Sequence, residues 1–268
     1  MNFTLLTNRC PALSEFFQGL WRVQLWLHLG WRDIGIRYKR TILGPLWITL
    51  STVGTFVALG MLYSALLKND IHQSLPHLAV GLVTWNLLSG IISEAPHLFL
   101  QARHIITTLR LPLTVHVARL LSKHFFFFFH NLAAALLTLL ILDGRPGWIL
   151  LCLLLTIPLL FVILFPLALL LGMLGTRFRD LEPIIGIFMQ LLFFLTPILW
   201  SPADLPLARK YWVTFNPLYH LIEMVRAPML GQLPELFSLG MALGSMVLLL
   251  LLALWGFCRF KNRIIYWF

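Results

Sequence analysis

The chain reads as an all-α integral membrane protein with six transmembrane helices, and three observations carry that reading. Of its 268 residues, 59% are hydrophobic and 11% charged, with a mean hydropathy of +0.87, far from the balance of a soluble domain. The apolar residues fall in runs of about 20, which is helix length, not the 9–11 alternating residues of a barrel strand. The cations keep to one set of connections. Segments 1–45, 94–123, 176–183 and 258–268 hold 15 of the 20 Lys and Arg; segments 68–76, 143–147 and 201–236 hold 5. This bias places both termini in the cytoplasm.

The elements follow in order within a single domain, 1–268. Over 13–31, Phe16, Leu20, Val23, Leu27 and Trp31 recur at helical spacing, with Gln18 and Arg22 opposite. The run is too polar to span, so it predicts an amphipathic interface helix on the membrane; a helix packed on protein is the other reading. Arg32, Arg37, Lys39 and Arg40 follow, and Gly44-Pro45 opens the first apolar run. Spans are expected at 46–67, 77–93, 124–142, 148–175, 184–199 and 237–257. Lys68-Asn69-Asp70 ends the first. A polar, basic connection occupies Glu94–Lys123, and Asp143–Gly147 makes a tight turn. Pro158 and Pro166 are sites for the fourth span to bend. Pro197 breaks the fifth. Segment 201–236 has five prolines but is too apolar for a loose loop.

Composition excludes several functions. The net charge of +10 does not point to nucleic acid, because the cations sit in short connections and form no single soluble face. Cys10, Cys152 and Cys258 form no CxxC pair, so neither a zinc site nor a disulfide framework is expected. The N-terminus lacks the apolar core and cleavage site of a signal peptide. Asp33, Asp180, Glu94 and Glu182 look isolated near the cytoplasmic face, and no Asp-x-Asp, His-Glu-x-x-His or Gly-x-Ser-x-Gly occurs, which argues against an enzyme such as a glycosyl- or phosphotransferase. Span centres nearly free of ionisable groups argue against an ion-coupled carrier.

Three stretches carry a family resemblance. Arg32-Asp33-Ile34 with Arg37-Tyr38-Lys39-Arg40-Thr41-x-Leu43-Gly44-Pro45-Leu46-Trp47 resembles the opening signature of permease subunits of type-2 ABC exporters, closest to those that move O-antigen and related cell-surface polysaccharides. Leu195-Thr196-Pro197-Ile198, followed by Pro202 and Leu205-Pro206, resembles their broken fifth span. Phe215-Asn216-Pro217-Leu218-Tyr219-His220-Leu221-Ile222-Glu223-x-x-Arg226 resembles the periplasmic motif before their last span.

The resemblance implies a homodimer in the bacterial inner membrane, with two copies of a separate ABC ATPase subunit and a lipid-linked, undecaprenyl-pyrophosphate polysaccharide as cargo. Capsule, teichoic acid or a hydrophobic drug are the other cargoes in view. ATP and Mg would belong to the partner; this chain binds no cofactor and no metal. In agreement, none of its five lysines sits in a phosphate-binding Gly-x-x-x-x-Gly-Lys-Ser/Thr loop.

Candidate residues follow. Arg37, Lys39 and Arg40 suit either topology and lipid anchoring or the pyrophosphate headgroup at the cytoplasmic entrance, since guanidinium groups bind phosphate bidentately. Tyr63, Trp85 and Phe193, with Asn86, are candidates for the channel wall, because sugars pass along aromatic faces while their hydroxyls need polar partners; ordinary packing is the alternative. By resemblance, segment 96–112, with His97, Gln101, Arg103 and His104, is a coupling helix for the ATPase; a surface helix held by anionic lipid is the alternative. Also by resemblance, 201–236 is a pair of re-entrant helices on the periplasmic side forming an outer gate with Phe215, Asn216, Pro217, Tyr219, Glu223 and Arg226. The last two, three apart, are spaced to pair on a helix.

Overall fold

A computed structural model describes residues 11–67, 71–109, 111–142, 147–200, 202 and 211–268, and every regular element among them is helical. Lys68–Asp70, Arg110, most of the Asp143–Gly147 turn, and Leu205-Pro206 lie outside the described residues.

The N-terminal stretch forms two helices where one was expected. These are α1 (Pro11–Trp21) and α2 (Val23–Arg37). The break falls at Arg22, whose ψ of 52° leaves the helical region, and the Trp26 indole bridges it by donating to the Leu20 carbonyl at 3.1 Å. Both helices rest along α7 (Leu113–Ile141). Gly30 permits the approach: a Cβ there would meet the Arg119 carbonyl at 3.1 Å. Packing on protein is therefore what one face does. The other face exposes Trp21, Trp31 and Ile36, as a headgroup-level belt requires.

Among the described residues, five stretches are long and apolar enough to cross a membrane, at 46–65, 74–101, 113–141, 147–177 and 236–264. The first lies in α3 (Leu46–Leu67). The second starts in α4 (Ile71–Glu94), earlier than residue 77, because Pro76 is accommodated inside the helix. It is the central element: its most apolar part is 78% buried, against 17–33% for the other four. The third is α7, which begins at Leu113 and not at His124. Its first turns carry Arg119, Lys123 and His124, which read as a connection until their partners are seen. The fourth is a 3-10 turn, Gly147–Cys152, leading into α8 (Leu153–Arg177), which runs unbroken through Pro158 and Pro166.

The sixth apolar helix, α9 (Leu181–Leu195), is shorter. Its 15 residues reach about 22 Å, less than the ~30 Å hydrocarbon core. It stops because Thr196 precedes Pro197 and is driven to an extended conformation (φ −87°, ψ 136°). The irregular stretch Thr196–Leu199 is buried, the condition under which non-helical backbone survives at membrane depth. Then come α10 (Tyr211–Thr214), α11 (Pro217–Met229) and the last span, α12 (Leu236–Ile264).

Candidate functional site

The expected gate residues converge on the break after α9. Asn216 caps α11: its side-chain oxygen accepts from the Leu218 and Tyr219 amides at 3.0 and 3.4 Å, and Pro217 takes the first helical position, where no amide hydrogen is needed. The Asn216 side-chain amide also donates to the Thr196 hydroxyl at 2.9 Å. One turn before its end, α11 reaches the same break again. Arg226 donates to the Pro197 carbonyl at 2.8 Å and to Glu223 at 2.8 Å. The expected Glu223–Arg226 pair is thus formed, and Arg226 is almost wholly buried, 1% exposed. Gly81 of α4 leaves room for the guanidinium.

Burial pushes the Glu223 carboxyl above the usual carboxylate range, against the downward pull of Arg226. Tyr219 is pushed up to about 12 by burial, with the Glu223 and Glu235 carboxylates adding to it. His220, which the motif contains but no role was assigned to, joins α11 to two neighbours. Its Nε2 donates to the Thr214 carbonyl at 2.8 Å, so in the neutral ring its Nδ1 accepts from the Ser238 hydroxyl at 2.9 Å. Phe215 is exposed.

The coupling segment is not one helix. It is a 3-10 turn at Ala95–His97, a single helical turn, α5 (Leu98–Gln101), and α6 (Arg103–Leu109). Gln101, Arg103 and His104 are exposed. The segment is seated on α8, where a Cβ at Gly172 would lie 3.0 Å from the Phe99 ring. His97 forms an ion pair with Glu182 at the start of α9. Beside α6, a groove of about 680 Å³ is lined by Gln18 of α1, Arg22 at the break between α1 and α2, Thr107 of α6, and Lys261 and Asn262 of α12. Lys261 pairs with Glu15, tying the last span to α1.

Arg37, at the end of α2, and Lys39 and Arg40, in the turn before α3, are all exposed. Arg40 has a left-handed φ of 75° and Gly44 one of 56°. Of the channel candidates, Trp85 is buried in the core and meets half-buried Phe193 at 5.7 Å between ring centres. Asn86 is exposed on the mostly buried α4, and Tyr63 packs against the core from α3.

The carboxylates expected to be isolated mostly are not. Asp33 accepts from Arg119 at 2.6 and 2.5 Å, a bidentate pair. Glu94 pairs with Lys123 and lies 2.9 Å from His124, and Glu182 pairs with His97. These partners stand 86, 30 or fewer, and 85 residues apart, beyond any local spacing rule. The available signal was the cations themselves: Arg119 and Lys123 share one face of a helix that enters the membrane, and cations there need anionic partners.

Known proteins share this arrangement of sequence. The chain is 24% identical over 199 residues to the O-antigen export system permease protein RfbA of Klebsiella pneumoniae, covering 71% of this chain and 74% of the relative. It is 26% identical over 200 residues to the protein of the same name from Myxococcus xanthus, covering 73% and 76%. The profile of the ABC-2 type transporter family matches residues 24–230, from α2 to the end of α11. With its multi-pass apolar helices, the chain belongs to the ABC-2 type transporter family.

Proposed function

We propose that this chain is the membrane channel subunit of an ATP-driven exporter, and that it moves a lipid-linked, undecaprenyl-pyrophosphate polysaccharide of O-antigen type from the cytoplasmic to the periplasmic side of a bacterial inner membrane. Both termini are cytoplasmic. Two copies form the channel, and two copies of a separate ABC ATPase, holding ATP and Mg, drive it. The observation that carries this reading is the similarity to O-antigen export permeases over about three-quarters of each chain. The family match also includes every candidate site residue, from Arg37 to Arg226.

The roles follow from position. Exposed Arg37, Lys39 and Arg40 meet the pyrophosphate headgroup where the chain enters the membrane. Gln101, Arg103 and His104, exposed on the coupling segment, face the ATPase, and His97 passes its movement to α9 through Glu182. Tyr63, Trp85, Asn86 and Phe193 belong to the channel wall. Phe215, Asn216, Pro217, Tyr219, Glu223 and Arg226 form the outer gate, hinged on the Thr196-Pro197 break.

Co-purification tests the partner. Tagged chain from native membranes should bring down an ABC ATPase, and lipid-linked glycan should stimulate ATP hydrolysis by the complex. A chain that purifies without an ATPase contradicts the proposal.

A further inference from the structure

The two ion pairs on α7 line a small, half-open chamber of about 50 Å³. Asp33 comes to it from α2, Glu94 from the end of α4, and Gln101 from the coupling segment; His116, Arg119 and Lys123 all come from α7. The last three lie on one helical face, at spacings of three and four residues. His116 is 1% exposed, and neither of its ring nitrogens has a hydrogen-bond partner among the described residues.

A neutral imidazole carries one donor and one acceptor, and buried polar groups in folded proteins are nearly always satisfied. The chamber exceeds the ~10–15 Å³ that one water needs. Its charges already balance: Asp33 and Glu94 oppose Arg119 and Lys123. A charged occupant would upset that balance, whereas water offers His116 both a donor and an acceptor at no cost in charge.

We propose that the chamber is a wet electrostatic joint, in which a few waters held by His116 link the Asp33–Arg119 and Glu94–Lys123 pairs into one network. The interface helix α2 and the coupling segment are thereby fixed to the same face of α7 and move with it as one body. The joint itself depends on neither cargo nor ATPase; only its use in coupling rests on the function proposed above.

Solid-state NMR of the full chain in lipid bilayers, with ¹⁵N-labelled histidine, tests the waters directly. Magnetisation from water should reach the His116 ring as readily as that of exposed His104, and the signal should vanish in His116→Phe. A His116 ring that stays dark while His104 is lit overturns the proposal. Thermal unfolding of the same preparation tests the linkage. Asp33→Asn and Glu94→Gln should together lower Tm by less than the sum of their separate shifts. Additive shifts would show that the two pairs act independently, and the joint would be wrong.

Discussion

Arg226 donates to the carbonyl of Pro197, 29 residues away, at 2.8 Å, and so locks α11 onto the break after α9. Counted from sequence, Arg226 is one of five cations on the outer side. In the fold it is a buried staple, with Glu223 neutralising it and Gly81 making room for it. Asn216 adds a second tie to the same break through Thr196. A helix fixed near both ends to an irregular, buried stretch moves with that stretch, which is what the proposed gate needs.

Arg226→Met removes the donor to Pro197 and leaves Glu223 without its cation. Breaking a buried pair by removing one partner costs about 3–5 kcal/mol, so thermal unfolding of the purified chain should shift strongly downward. Arg226→Lys should recover little, because a single ammonium does not reproduce the forked contact to two acceptors. Full recovery by Lys would show that only the charge matters.

Asn216→Ala removes the cap of α11 and the bond to Thr196. Loss of the cap alone costs about 0.5–2 kcal/mol. The variant should stay folded, with faster hydrogen exchange at the Leu218 and Tyr219 amides. Unchanged exchange at both amides would contradict the capping role.

Glu182→Gln addresses coupling. The His97–Glu182 pair is partly exposed, at 34% and 51%, and such pairs contribute about 0–1 kcal/mol. The Tm of the variant should stay close to wild type while glycan-stimulated ATP hydrolysis by the complex falls severalfold. Equal losses of stability and coupling would make the pair merely structural.

Arg37→Gln with Arg40→Gly separates anchoring from headgroup binding. Glycine at 40 removes the cation and suits the left-handed φ of 75°, so folding is not the variable under test. Membrane abundance and ATPase pairing should be unchanged while export drops. A fall in abundance instead would assign these cations to topology.

The periodicity of apolar runs made the helical membrane fold legible, and the Glu223…Arg226 spacing gave the pair in α11; the Asn216 cap emerged only with the structure. Other features were hidden for physical reasons. The start of α7 was obscured because His116, Arg119, Ser122 and Lys123 look like a connection when their partners are unknown. Asp33 and Glu94 neutralise the two cations from distant parts of the chain, and that allows the polar turns to continue into the span. The early start of α4 was masked by His72, Gln73 and Pro76, which break the apolar pattern but not the helix. The break at Arg22 divides a run whose hydrophobic spacing continues across it, so periodicity alone could not place it. Pro197 marked a break in the span expected at 184–199, but the helix already ends at Leu195, because the residue before a proline is driven out of the helical region.

As the channel subunit proposed above, this chain carries lipid-linked polysaccharide across the membrane. Deleting its gene and assaying both compartments for glycan tests that most directly. Surface glycan should be lost and lipid-linked glycan should accumulate on the cytoplasmic side, with both restored to normal by the wild-type gene. Surface glycan at wild-type levels in the deletion strain would contradict it.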